Sequence, residues 1–248
     1  EFDDFSNAGR LIYKCYDLNQ DLYNDDYNNF KDFYDQLSSV NITVDQGYYE
    51  EAIIEYQKLL DKYPDNSSIL FKIGLCYKKS KNYDKAINTF IKARNLKPFI
   101  ERYSDEIRNI AKGQAKLGQD EFKRQDYQMA LEYYEKSISY DSTYATPMFG
   151  VGNVYYKIKD YDKAIEYYIN GIKNADLSPH KYRRLYQLGV FFTKVNKYQK
   201  AIEAFDEALE IKPGYTKAMF EKAKIFRSTG KVEESKNILL QAIDIDPS

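Results

Sequence analysis

The stretch Asn82-Tyr83-Asp84-Lys85-Ala86-Ile87 decides the fold, because the chain repeats it. Asp160-Tyr161-Asp162-Lys163-Ala164-Ile165 is almost the same. Asp126-Tyr127-Gln128-Met129-Ala130-Leu131, Lys197-Tyr198-Gln199-Lys200-Ala201-Ile202 and Gly47-Tyr48-Tyr49-Glu50-Glu51-Ala52-Ile53 are variants of it. The alanines fall at 52, 86, 130, 164 and 201, with spacings of 34, 44, 34 and 37. Ser235 stands one further step of 34 along. Such a period marks a chain built by stacking copies of one supersecondary unit.

Inside each copy the apolar residues have a helical spacing. Ala86, Ile87, Phe90, Ile91 and Ala93 recur at steps of three and four, as do Ala201, Ile202, Phe205, Ala208 and Leu209. No long segment alternates with period two, so strands are not expected. Each copy reads as helix, turn, helix, turn.

In these residues the chain resembles the tetratricopeptide repeat (TPR) family. That family's unit carries a large–small pair and an aromatic on its first helix. Its second helix carries alanine, aromatic and alanine, and a proline follows. Residues 67–100 supply Ile73, Gly74, Tyr77, Ala86, Phe90, Ala93 and Pro98. Residues 182–215 supply Leu188, Gly189, Phe192, Ala201, Phe205, Ala208 and Pro213. Residues 111–144 (Leu117, Gly118, Ala130, Tyr134, Ser137), 145–178 (Val151, Gly152, Tyr155, Ala164, Tyr168, Gly171) and 216–248 (Ala223, Phe226, Gly230, Leu239, Ala242, Pro247) fit less completely, and Asp176 replaces one proline. Residues 39–66 are a degenerate unit. The resemblance implies an all-α fold, an α-solenoid wound as a right-handed superhelix. The small residues let helices approach and the aromatics fill the space around them. Proline ends the second helix.

Several segments depart from the pattern. Residues 1–38 read as an N-terminal helical cap of two helices, one with the stripe Ala8, Leu11, Ile12, Cys15, Leu18 and Leu22. The second, with Tyr27, Phe30, Tyr34 and Leu37, follows a polar break at Asn24-Asp25-Asp26, and a further helix is expected to begin near Thr43 to Asp45. Residues 101–110 are ten extra residues with helical spacing (Tyr103, Ile107, Ile110), expected to lengthen a first helix. Ser67, Thr146-Pro147 and Ser178-Pro179 read as helix starts. Beyond Pro247 no polar helix covers Leu239, Leu240 and Ile243. The expectation is a longer chain or a second copy, a homodimer through the uncapped C-terminal unit. The chain opens at Glu1, so a removed signal or anchor is compatible with it.

Composition narrows the chemistry. Glycine (11) and proline (6) are too few for a low-complexity or turn-dense β chain. One histidine, His180, rules out a histidine cluster for a metal, and it is read as a surface or capping residue. Cys15 and Cys76 are too far apart for a C-x-x-C pair and read as free thiols, which suits a reducing compartment. No apolar run reaches transmembrane length. No phosphate-binding loop, dinucleotide fingerprint, nucleophile elbow or zinc-protease motif occurs. The expectation is a non-enzymatic protein without a cofactor.

What remains is a surface. In the family the first helix of each unit lines a concave groove. The thirty corresponding positions of the five clear units include twelve basic residues and one acidic residue, Glu221, so they carry +11 in a chain whose total is −1. Among them Lys79, Lys123, Lys157, Arg183, Lys194, Lys217 and Arg227 are interleaved with Phe71, Phe122, Phe149, Tyr156, Tyr186 and Phe220. Asn153 stands where the family can hydrogen-bond a bound peptide backbone. The expected function is a protein–protein interaction scaffold whose basic-aromatic groove takes an extended acidic peptide or protein segment. Single-stranded nucleic acid is the competing ligand, disfavoured by lysine dominance and an acidic remainder. A purely structural assembly module is the third reading. The carboxylate clamp of some members is not reproduced, since Phe149, Asn153, Gln187, Lys217 and Glu221 occupy its places.

Overall fold

A computed structural model describes residues 20–175 and 180–246, with Leu11, Tyr13, Lys14, Tyr16 and Asp17 before them and the backbone alone at 20–24 and 26. Cys15, Asp176, Ser178-Pro179 and Pro247 lie outside the described residues. Among those described there is no strand, and the fold is an all-α solenoid of helix hairpins. The helices are α1 (Gln20–Asp45), α2 (Tyr49–Lys62), α3 (Ser67–Lys79), α4 (Tyr83–Leu96), α5 (Glu101–Arg124), α6 (Tyr127–Tyr140), α7 (Ala145–Lys157), α8 (Tyr161–Asn174), α9 (Lys181–Lys194), α10 (Tyr198–Ile211), α11 (Thr216–Ser228) and α12 (Val232–Ile245). None of them is long and apolar enough to cross a membrane.

The chain divides into two compact units, residues 1–107 and 108–248. In the first, Phe33, Leu37 and Val40 of α1 are buried against Ala52, Tyr56 and Leu59 of α2 and Ile69, Ile73 and Cys76 of α3. Residues 24–26 do not break α1, which continues to Asp45. Asn and Asp disfavour a helix interior only mildly, and the buried stripe of α1 holds it against α2 and α3 further along. That stripe carries Phe33, Leu37 and Val40, while Tyr34 is half out in solvent. The next helix accordingly starts at Tyr49, after the turn at Gly47.

In the second unit the core runs through α7 to α11, with Phe149, Tyr168, Leu188, Phe191, Phe192 and Phe205 buried together. Burying each such side chain contributes about 1.5–3 kcal/mol. One contact recurs in both units. The glycine of each large–small pair faces the aromatic ring sixteen residues on. A β-carbon on Gly74, Gly118, Gly152 or Gly189 would come within 2.5, 2.8, 2.5 or 2.5 Å of Phe90, Tyr134, Tyr168 or Phe205. Two sites expected to hold a small residue hold serine, and each hydroxyl finds a backbone acceptor on the facing helix. Ser137 donates to the Ala111 carbonyl at 2.7 Å and Ser235 to that of Ala223 at 2.9 Å. Leu117 departs from the pattern and is exposed.

Helix ends follow local chemistry. Asn66, Asn82, Asp126 and Asp160 accept hydrogen bonds from first-turn amides. The cap of α3 is thus Asn66 and not Ser67, whose buried hydroxyl instead accepts from Tyr103 Oη at 3.1 Å. Thr146 does not cap α7 either. Asp141 Oδ1 already turns the chain by accepting from the Thr143 amide at 3.0 Å and hydroxyl at 2.7 Å, so the helix starts at Ala145 with Pro147 in its first turn. Each hairpin turn uses one residue in the left-handed region: Gly47, Lys81, Gln125, Lys159, Asn196 and Gly230.

Candidate functional site

The first helices of successive hairpins carry the proposed groove residues of the second unit, Phe122 and Lys123 on α5 and the others on α7, α9 and α11. The structure spreads those residues over very different environments. Phe149 is buried, with the Arg184 guanidinium 4.2 Å from its ring centroid. Tyr156 is half-buried and stacks on Phe191 with centroids 4.5 Å apart. Tyr186 is half-buried between Phe205 and Tyr215, at 5.9 and 5.4 Å. Phe122 packs on Tyr127 at 5.8 Å. Only Phe220 of the groove aromatics in this unit is substantially open, at 40% exposure. In the first unit Phe71 is half-buried among Phe90 and Tyr103, with Arg102 at 4.7 Å, and Lys79 is exposed at the end of α3. The aromatics are therefore walls and floors more than free rings.

Asn153 has an internal partner. Tyr168 Oη donates to its Oδ1 at 2.7 Å. In the first unit Tyr56 donates to Asn41 Oδ1 in the same way, also at 2.7 Å. Asn153 thus anchors a core tyrosine, and its amide nitrogen is left for other contacts.

Several cations of the groove face are offset by nearby acids. Lys78 pairs with Glu106 at 2.5 Å, Lys123 with Asp120 at 3.1 Å and Lys224 with Glu221 at 2.7 Å. Lys157, Lys194, Lys217 and Arg227 are exposed without such a pair among the described residues. Basic side chains also line two clefts. One, of about 400 Å³, is lined by Tyr168, Tyr182, Arg183, Arg184, Tyr186, Gln187, Lys212, Tyr215 and Lys217. The other, of about 280 Å³, is lined by Lys112, Lys116, Gln119, Tyr134, Tyr144, Thr146, Phe149, Asn153 and Arg184, with Ala115 and Gly150 between them. No carboxylate lines either, and Arg184 belongs to both.

In the larger cleft Arg183 Nε donates to Tyr182 Oη at 3.0 Å, and this bond pulls the phenol below its ordinary pKa. Lys212 lies over the rings of Tyr182 and Tyr215, at 5.1 and 5.7 Å. Burial instead raises the phenols of Tyr186 and Tyr215. Arg184 and Lys212 were not among the residues picked out from the sequence. Arg184 flanks the groove position Arg183 and lies over Phe149 of α7, whereas Lys212 comes from the turn between α10 and α11. A second arginine beside groove position Arg183 was the signal available for Arg184, and Lys212 offered none.

Among the described residues no cluster of metal-ligating side chains occurs. Profiles of one family match the chain in four stretches, residues 55–88, 115–179, 182–215 and 216–248, each as tetratricopeptide repeat. Among curated proteins, DnaJ homolog subfamily C member 7 of Homo sapiens is 26% identical over 192 residues, and its Mus musculus counterpart 24%. Each match takes in 76% of this chain and 32% of the relative, so the chain spans about a third of their length. Among solved structures, MamA protein aligns with a TM-score of 0.50 at 22% identity, over 73% of this chain and 92% of that one, a likeness of fold. With matched stretches covering most of its length and a hairpin that recurs at the family's spacing, the chain belongs to the tetratricopeptide repeat family.

Proposed function

We propose that this chain is a non-enzymatic scaffold whose second unit holds an extended acidic segment of a protein partner along α7, α9 and α11. The repeat fold is one that serves protein–protein interaction, and its members are generally not enzymes. The observation that carries the acidic-ligand reading is the pair of clefts lined by cations and rings with no carboxylate. Exposed lysines along the rim, Lys157, Lys194 and Lys217, steer the ligand and set its register, while half-buried rings supply contact area.

The test is binding of a labelled poly-glutamate peptide at rising salt. Affinity falls steeply, because exposed charges act through screened attraction. Reversing Lys157 and Lys194 slows association more than reversing Lys123, whose charge Asp120 already offsets. Equal affinity for poly-uridine RNA would move the reading to single-stranded nucleic acid. A second contact is proposed at α12, where Leu240 and Ile243 are each 52% exposed and Leu239 is half-buried. A second copy seated there would make a homodimer, read by sedimentation at high and low concentration.

A further inference from the structure

The larger cleft of the second unit has a charge that a simple acidic side chain does not match. Arg183, Arg184, Lys212 and Lys217 converge on about 400 Å³, and none of the four has an acidic partner among the described residues. Elsewhere in the same unit Lys123, Lys163, Lys222 and Lys224 each lie within ion-pair distance of a carboxylate, and the cations that do not, such as Lys157 and Lys194, do not line this cleft. Four like charges around one cleft repel each other, and one carboxylate would neutralise only a quarter of them. The cleft is open to solvent, with Tyr182, Tyr186 and Tyr215 among its lining residues.

The helix ends add to the same field. The cleft lies at the start of two helices, α9 with Tyr182, Arg183 and Arg184 in its first turn, and α11 with Tyr215 as its N-cap and Lys217 in its first turn. Neither first turn holds an acidic residue, and neither N-cap side chain caps its helix's own first-turn amides. Both helix termini add their partial positive charge to the same field. Two arginine forks beside two lysines match the several oxygens and double charge of a phosphomonoester.

We infer that this cleft takes a phosphorylated side chain of the bound segment. The inference rests on the reading of the groove as a peptide site and names the chemistry of its central pocket. Arg183 and Arg184 grip the phosphate oxygens, Lys212 and Lys217 complete the neutralisation, and the three tyrosine rings bound the space around the side chain.

Fluorescence anisotropy with three labelled peptides of one acidic sequence tests it, with phosphoserine, glutamate or serine at the central position. The phosphoserine peptide binds about tenfold tighter than the glutamate peptide. Arg183→Gln with Lys212→Gln weakens all three peptides but the phosphoserine peptide most, so that the tenfold preference disappears, with circular dichroism reporting an intact fold. Lys157→Gln, outside the cleft, weakens all three alike. Equal binding of the three peptides would overturn the phosphate inference and leave the acidic groove standing. No binding of any peptide would overturn both. Inorganic phosphate that competes as strongly as the phosphopeptide would assign the cleft to a free anion and overturn the claim for a phosphorylated side chain.

Discussion

Gly152 meets the ring of Tyr168 so closely that a β-carbon on it would lie 2.5 Å from ring carbon Cδ2 and 3.2 Å from the Ala164 carbonyl oxygen. The ring is held in place, because its hydroxyl is tied to Asn153 and it packs edge-to-face with Phe191, centroids 4.7 Å apart. Gly152→Ala is therefore expected to lower stability despite alanine's better helix propensity, and Gly152→Leu to cost about 1–3 kcal/mol or more through overpacking. Chemical denaturation of the two variants checks this order.

Phe149 and Phe220 are both groove positions in the sequence, yet only the first is buried. Phe149→Ala should cost about 3–5 kcal/mol of folding stability, as truncation of a core aromatic does. Phe220→Ala should stay within about 0.5 kcal/mol. Any loss of peptide binding in the Phe149 variant should then follow its unfolding, whereas in the Phe220 variant it should appear as a faster off-rate in an intact fold.

Alkaline pH should destabilise the protein. Burial pushes the Cys76 thiol up to about 11, Lys72 pulling slightly the other way, and burial with Asp120 pushes the Tyr134 phenol up to about 12. Burial raises Tyr56 and Tyr168 as well. In each case the fold favours the neutral acid. The stability this contributes is complete below the unfolded pKa and is lost as pH rises through the folded value. Tyr182, held below its ordinary value by Arg183, works in the opposite sense. Denaturant midpoints should fall steadily above about pH 9, where the unfolded thiol and then the unfolded phenols ionise. Cys76 should resist thiol reagents in the native protein and react on unfolding.

Four hairpin turns place a side chain where glycine is preferred: Lys81 at φ 62°, Gln125 at 67°, Lys159 at 68° and Asn196 at 56°. The left-handed region costs an ordinary residue about 1 kcal/mol, and asparagine less. Lys81→Gly, Gln125→Gly and Lys159→Gly should each raise stability by up to about 1 kcal/mol, less the added freedom of the unfolded chain. Asn196→Gly should be near neutral. Thermal melts of the four single variants, and of the triple variant for additivity, provide the measurement.

The repeat was legible because sterics impose it. Gly74, Gly118, Gly152 and Gly189 must be small to admit the rings of Phe90, Tyr134, Tyr168 and Phe205, so the spacing is written into the sequence. Helix starts were less legible. Ser67 and Thr146 are good cap residues, but Asn66 and the Asp141 turn reach the free amides first. The basic face was visible as a sign asymmetry, while its internal cancellation was not. Whether Lys123 or Lys157 keeps its charge unopposed depends on neighbours such as Asp120, set by side-chain direction. Arg184 escaped notice because it lies beside a groove position and turns inward over Phe149.

Within each unit the helices touch chiefly the helices next to them in the chain. Such a stack closes only short loops when it forms, so folding can begin at any hairpin and spread, and opening can begin at an end and stop part-way. A ligand laid over α7, α9 and α11 would fasten hairpins that otherwise open one at a time. Amide exchange in α12, which carries none of the groove residues, would then slow on binding, and the fold itself would report occupancy at a distance from the cleft.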